Sequence, residues 1–517
     1  MKSYILSNTN VDSLDYYLNK EVDIVGSCAY GNYLIDLIDI DSDLYKKDID
    51  LVILLLDGDE LKKVSNLQDI FSAVNNFLNR KNCFFLFSTI TLKPSYVDSY
   101  LNSFSYFEFN ANKDIIDFQR SNKNVFILDI HRIFLQHGSN KCLDNKFWYI
   151  GKIKYTALFF EQISKEINNI VRAINSNIKK VLVLDLDNTV WGGVIGEGDG
   201  NIQLSNDGIG KIYLEFQQNV KYLNSLGVLL AINSKNDYED AIKGLRNKNS
   251  VLSEGDFIVI KANWNDKASN MIEISNELDL SLDSFVFIDD NPVERELIKT
   301  KLPEVSVPEF PKELYEYNQW FISDTIYKFF PRVFLSAEDK SKTKQYKANK
   351  KRINLKYNSV DIKSFLNSLE IDLNVVVNDI ANIERLAQLT QKTNQFNLTT
   401  RRYNTNDIIN FIESDSRIVY SIEYKDKFMV EGVVGLSIIE IKGEEAILEV
   451  FLLSCRVLGR NVENYFLEKI CNNFVNSKVK KIIGHYYPTN RNKIVKNFYA
   501  NNGFFKQDHN TFFKEIE

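Results

Sequence analysis

The feature that most restricts this chain is Val181-Leu-Val-Leu184, an unbroken apolar run that ends in Asp185-Leu186-Asp187. Four consecutive branched aliphatic residues suit a strand buried on both faces, as in a parallel sheet covered by helices. Alternate residues of a strand point the same way, so Asp185 and Asp187 leave on one face. At the carboxyl end of a parallel strand they stand where open α/β sheets bind ligands. Two acids this close can share a hard cation while one stays free for other work.

Polar residues follow similar runs further on. Ser234 follows Leu229-Leu-Ala-Ile232 in Asn233-Ser-Lys-Asn236, Lys267 opens a predicted helix in Asn263-Trp-Asn-Asp-Lys-Ala-Ser-Asn270, and Asp289-Asp290 follows Phe285-Val-Phe-Ile288. All of them can converge on one rim. Cysteines and histidines offer no competing metal chemistry. The five cysteines (28, 83, 142, 455, 471) form no Cys-x-x-Cys, and the four histidines form no zincin pattern. Any metal is expected on oxygen ligands, which suits Mg²⁺.

The chain has 517 residues, 44% hydrophobic and 26% charged, and 63 basic against 69 acidic residues. That excludes general disorder and gives no electrostatic footprint for nucleic acid or an anionic membrane. Its longest apolar runs, such as Leu51 to Leu56, are far below the ~20 residues of a membrane helix, and Met1 to Asp15 has no signal-peptide core. The expectation is a soluble, cytoplasmic protein.

Three α/β domains are expected. Residues 1–175 carry candidate strands Asp23–Val25, Leu51–Leu56, Cys83–Phe87 and Val125–Leu128. Residues 178–330 hold the Asp-x-Asp strand, with further strands at Gly227–Ile232, Phe257–Ile260 and Phe285–Ile288. Residues 331–370 form a helical connector, where Lys340, Lys344, Lys347 and Lys351 share one face that reads as a solvated surface. Residues 371–517 form the last unit, with strands at Ile371–Val377, Ile418–Tyr424, Gly432–Glu440, Ala446–Leu453 and Lys481–His485 and an amphipathic helix over 461–475.

The ordered set Asp185-x-Asp187, Ser234, Lys267 and Asp289-Asp290 resembles the motifs of the haloacid dehalogenase (HAD) phosphotransferases. The match narrows with Asp187-Asn-Thr-Val-Trp-Gly-Gly-Val-Ile-Gly-Glu197, Phe287-Ile-Asp-Asp-Asn-Pro292 with Glu294-Arg295, Lys392-Thr-Asn-Gln-Phe-Asn-Leu-Thr-Thr-Arg-Arg-Tyr403 and Phe451-Leu-Leu-Ser-Cys-Arg-Val-Leu-Gly-Arg460. Together they resemble the FkbH-like proteins of HAD subfamily IIIC, clearly over 178–517 and faintly over 1–175. The resemblance implies that Asp185 is a nucleophile taking a phosphoryl group and that Asp187 is general acid and then base. Ser234 and Lys267 hold phosphoryl oxygens, and Asp185, Asp289 and Asp290, with the backbone carbonyl of Asp187, hold Mg²⁺. Asn233 and Trp191 are candidate substrate contacts. The implied reaction removes phosphate from a 1,3-bisphosphoglycerate-like substrate and loads the glyceryl unit on the phosphopantetheine of an acyl carrier protein. Two alternatives stand beside it: a plain phosphatase acting on a sugar or small metabolite, and a scaffold in a biosynthetic complex.

Many relatives carry a relay Cys between the two aspartates, where this chain has Leu186, which cannot form a thioester. Between Asp185 and Ser234 lie only a Gly-rich flap, Gly192 to Gly200, and one predicted helix, so no cap domain is expected. Residues 371–517 resemble a GNAT-like acyltransferase fold. Arg456-Val-Leu-Gly459-Arg460-Asn461 then reads either as a loop for a thioester arm or as a structural remnant. Cys455 is either a buried small hydrophobe or a thiol beside that arm, and His485, at a strand end, ranks below it. The N-terminal domain faintly resembles SGNH hydrolases through Val25-Gly26-Ser27-Cys28 and Asp129-x-His131. It reads as non-catalytic, with Cys28 as the alternative nucleophile.

Overall fold

Unbroken apolar runs become the buried strands. In this computed structural model, which describes residues 1–64, 66–93, 106–175, 177–195, 202–333, 337–357 and 359–516, every residue of Leu51–Leu55 and Val181–Leu184 is buried. The chain forms two compact units, Met1–Thr343 and Lys344–Glu517.

The first unit holds two parallel sheets. Strands β1 (Lys2–Ser7), β2 (Asp23–Ser27), β3 (Leu51–Leu55), β4 (Phe84–Ser88) and β5 (Val125–Leu128) pair in the order β2-β1-β3-β4-β5. The expected strands are all present. The one not expected, β1, lies inside the sheet, and its serines Ser3 and Ser7 are buried, which masked its pattern. Strands β6 (Val181–Leu184), β7 (Leu229–Ser234), β8 (Phe257–Ala262) and β9 (Phe285–Ile288) pair in the order β8-β7-β6-β9. The chain moves outward from β6 through β7 to β8 and then crosses to β9 on the other side of β6. The carboxyl end of β6 therefore lies at a topological switch point.

The expected boundary near residue 178 falls between the two sheets, which touch one another within this unit. The Lys179 N–H donates to the carbonyl of Phe329 at 2.9 Å, the Arg132 guanidinium lies 4.4 Å from the Tyr327 ring centroid, and Val333 packs on the core of the first sheet. Residues 327–333 thus tie the second sheet to the first.

The second unit is built on β10 (Asp372–Val377), β11 (Phe396–Asn397), β12 (Arg417–Asp426), β13 (Met429–Lys442), β14 (Glu445–Leu453), β15 (Lys481–His485), β16 (Phe505–Lys506) and β17 (Thr511–Glu515). Neighbouring strands are antiparallel except β14 and β15. That parallel pairing ends at Leu448 and Gly484. Beyond it β11 takes the edge of β14, pairing Phe396 with Leu453 and Asn397 with Leu452, and Leu398 accepts from the Tyr487 N–H at 2.9 Å.

The connector is a helix over Ala337–Tyr357 followed by one over Ile362–Ser368. Lys344 and Lys351 are exposed and Lys347 is half-buried; the side chain of Lys340 lies outside those described. This helix docks through Arg352, 3% exposed at its side chain, whose Nε and Nη2 donate to Asp426 at 2.6 and 2.9 Å and whose Nη1 donates to Glu431 at 2.9 Å. No described helix is long and apolar enough to cross a membrane.

Candidate active site

Strand ends of the second sheet place the charged residues. Asp185 follows β6, Asp289 and Asp290 follow β9, and Lys267 is the first residue of the helix Lys267–Leu278, which follows β8. The Lys267 Nζ donates to Asp185 Oδ1 at 2.7 Å and to Asp289 Oδ2 at 2.6 Å. One carboxylate oxygen from each of Asp185, Asp289 and Asp290 lies within 4.8 Å of the others. Burial, and then the Asp185 charge, raises Asp289 and Asp290 each to about 6. Burial works against the charge on Lys267, but Asp185 and Asp289 outweigh it and hold the ammonium above its ordinary pKa. A dry site with three acids and one base has excess negative charge, which a hard cation would neutralise.

Asp187 belongs to a different group. Its Oδ1 accepts from Trp191 Nε1 at 2.8 Å and from the Ile195 N–H at 3.1 Å, and its Oδ2 accepts from Asn236 Nδ2 at 3.1 Å. Burial raises its pKa in spite of these donors. With both oxygens held this way, its carboxylate stands apart from the three-acid cluster, which leaves the backbone carbonyl of Asp187 as its expected contact with a metal. Asn188 makes the turn possible by taking φ +53, and its Oδ1 accepts from the Gly193 N–H at 2.9 Å. Asn236 Nδ2 also reaches Ser234 Oγ at 3.1 Å, so it links the expected phosphate-holding serine to Asp187.

Two expected substrate contacts are positioning residues. Trp191 is fully buried in the core, and its indole N–H orients Asp187. Asn233, also fully buried, donates to the Lys267 carbonyl at 2.8 Å and accepts from Asn270 at 3.1 Å, which fixes the start of the Lys267 helix. Sequence reasoning missed three supports. Thr189 Oγ1 accepts from the Asp290 N–H at 3.2 Å, Tyr317 donates to the Thr189 carbonyl at 2.9 Å, and Arg295 Nη1 donates to the carbonyls of Asp289 and Asp290 at 2.9 and 2.6 Å. Arg295 and Asn236 stood inside motifs already visible. Tyr317, 128 residues from its partner, had no local signal. Leu186 is fully buried in the core, and residues 196–200 of the expected flap lie outside those described.

In the second unit, Gly459 (φ +73) and Asn461 (φ +62) turn the chain into the helix Val462–Asn472. Both arginines of the loop that reads either as a thioester-arm site or as a structural remnant have contacts within the unit. Arg456 reaches Glu431 at 3.4 Å, while Arg460 is 8% exposed, with its guanidinium 5.2 Å from the Tyr424 ring centroid. Cys455 is exposed, so it is not the buried hydrophobe of one expectation. His485 stacks on Tyr487, and burial, aided by Arg401, lowers its pKa.

In the N-terminal sheet, Cys28 Sγ accepts from the Ser7 N–H at 3.3 Å, and burial pushes the thiol up to about 11, the reverse of an activated nucleophile. Asp129 caps the helix Ile130–His137, and His131 Nδ1 lies 3.1 Å from Glu108.

No protein-family model matches the chain, and no curated protein matches it. Among solved structures, the N-terminal part of the protein BF1531 from Bacteroides fragilis, which contains a phosphatase domain complexed with Mg, is 28% identical; the match covers 64% of this chain and 94% of that one, with a TM-score of 0.58. The ribosomal-protein-S18-alanine N-acetyltransferase of Escherichia coli is 8% identical over 28% of this chain and 93% of that one (TM-score 0.23), and the GNAT domain of S. lividans PAT is 16% identical over 28% and 90% (TM-score 0.23). The chain is thus a multi-domain α/β protein similar in its larger part to a phosphatase-domain structure that holds Mg.

Proposed function

We propose that the chain is a Mg²⁺-dependent phosphohydrolase of the HAD type. The observation that carries this reading is the convergence of Asp185, Asp289 and Asp290 on Lys267 at a sheet switch point. The donor set fits the metal: oxygen ligands only, buried or half-buried, with more negative charge than one lysine balances. Asp185, Asp289 and Asp290 would hold the ion, which when bound supplies charge neutralisation for an incoming phosphoryl group.

Asp185 attacks phosphorus and forms an aspartyl-phosphate, while the bond to the leaving oxygen breaks. Asp187, which burial keeps more readily protonated than an exposed carboxyl, gives that oxygen its proton. Asp187 then takes a proton from water as the water attacks phosphorus, releasing phosphate and restoring Asp185. Lys267 and Ser234 bind the phosphoryl oxygens.

In the fuller reading, drawn from the FkbH-like motifs, the substrate is of the 1,3-bisphosphoglycerate kind: a carrier-protein thiol attacks the acyl carbon and displaces the acyl-bound phosphate, and the remaining phosphate ester is the one that Asp185 takes up and water removes. A plain phosphatase on a sugar or small metabolite is the second reading. It is favoured by the buried Leu186 and by the inward ion pair of Arg456 and burial of Arg460. Asp185→Asn should abolish phosphate release with an unchanged circular dichroism spectrum, and beryllofluoride with Mg²⁺ should inhibit. Retained turnover in the variant would remove Asp185 from the mechanism. Intact-protein mass spectrometry of carrier protein incubated with enzyme and bisphosphoglycerate separates the two readings: a glyceryl adduct supports transfer, and phosphate without adduct supports the phosphatase.

A further inference from the structure

Exposed apolar or aromatic residues follow the strand ends of the candidate site: Val194 (42% exposed) and Trp264 (69%) in loops, and Tyr238 (54%) and Val293 (71%) in the first turns of the helices Tyr238–Leu245 and Pro292–Lys301. Trp264 is the largest of them and is held in place. Its predecessor Asn263 donates its N–H to the Ser234 carbonyl at 3.1 Å, and its successors lead to Lys267, three residues on. Its indole Nε1 donates to Asp237 Oδ1 at 2.9 Å, which bridges the loop after β8 to the loop after β7. With its donor occupied, the ring offers solvent only its π faces. A fixed, exposed indole recognises a flat or apolar face, the C–H face of a sugar ring included.

We propose that Trp264 is a specificity-determining residue on which the organic part of the phosphorylated substrate stacks, and that this part presents a planar or apolar face next to the scissile oxygen. The proposal rests on the phosphohydrolase reading of the site and sides with its sugar or small-metabolite form, because a glyceryl unit presents no such face. A stacked aromatic face contributes enough to change binding by roughly ten-fold.

The test uses the full chain with Mg²⁺ and two probes: 1-naphthyl phosphate, which has a face to stack, and acetyl phosphate, which has none. Trp264→Ala should raise KM for 1-naphthyl phosphate about ten-fold, leave kcat within two-fold and leave both constants for acetyl phosphate unchanged. Trp264→Phe should restore most of the loss. Equal changes with both probes, or none with either, would overturn the proposal. Calorimetric binding of 1-naphthyl phosphate to Asp185→Asn, with and without Trp264→Ala, keeps the two readings apart. Binding that depends on Trp264 without turnover by the wild-type chain sinks the chemistry but supports the platform; binding indifferent to Trp264 sinks the platform alone.

Discussion

Replacing Lys267 with Met removes the one cation that lies between two buried carboxylates, at 2.7 Å from Asp185 and 2.6 Å from Asp289, where the three side chains are 4%, 8% and 0% exposed. Removing one partner of a buried pair costs about 3–5 kcal/mol because the other charge stays buried. For a unit of this size, about 2 °C per kcal/mol gives a drop of roughly 6–10 °C in Tm in EDTA. Mg²⁺ should raise the Tm of the variant more than that of the wild type, since the cation restores the lost charge without competing against an ammonium. Phosphate release should fall about 10²–10³-fold even at saturating Mg²⁺, the scale of losing one preorganised donor to developing negative charge. Circular-dichroism melts in EDTA and in MgCl₂, alongside a malachite-green assay, read all three effects. Wild-type Tm in EDTA, or Mg²⁺ shifts of equal size in both proteins, would refute the reasoning.

Gly244→Ala would place a Cβ 2.5 Å from Trp191 Cη2, so the ring that orients Asp187 must move; a loss of about 1–3 kcal/mol in urea unfolding and a fall in phosphate release are expected. Normal stability would mean that the ring gives way freely. Arg352→Met should destabilise the second unit by about 3–5 kcal/mol at pH 7, followed by chemical denaturation, because Asp426 and Glu431 lose their nearest guanidinium and keep only the longer contacts to Arg460 and Arg456. Burial pushes Asp426 up, but Arg352 and Tyr424 outweigh it and hold its carboxyl below 3.8. Wild-type stability from this group is therefore complete above about pH 4 and lost as pH falls further, and the cost of the substitution should shrink over the same acid range. Leu186→Cys should resist iodoacetamide in the native protein, because the position is fully buried; rapid alkylation detected by mass spectrometry would show that the strand end opens.

The sequence alone determined the elements whose signals are local. Val181–Leu184 and Phe285–Ile288 have the predicted bounds, because consecutive apolar residues ending in carboxylates admit few other structures. The same runs pointed to Asp185, Lys267, Asp289 and Asp290 as one cluster. Other features depend on partners distant in the chain. Buried serines hid β1. The pairing of β11 with β14 joins residues more than 50 positions apart, and nothing in Phe396-Asn397 by itself indicates that edge. Trp191 and Asn233 read as ligand contacts because an indole or an amide near two acids could face either way. Tertiary packing turned the Trp191 indole into the core against Gly244, where its N–H meets Asp187, and Asn233 toward the Lys267 helix, where its amide both donates and accepts. Arg456 and Arg460 could likewise have met a ligand anion. Only the folded unit brought Glu431 to Arg456 and Asp426 to within 4.0 Å of Arg460, because a buried carboxylate requires a nearby cation wherever the chain supplies one.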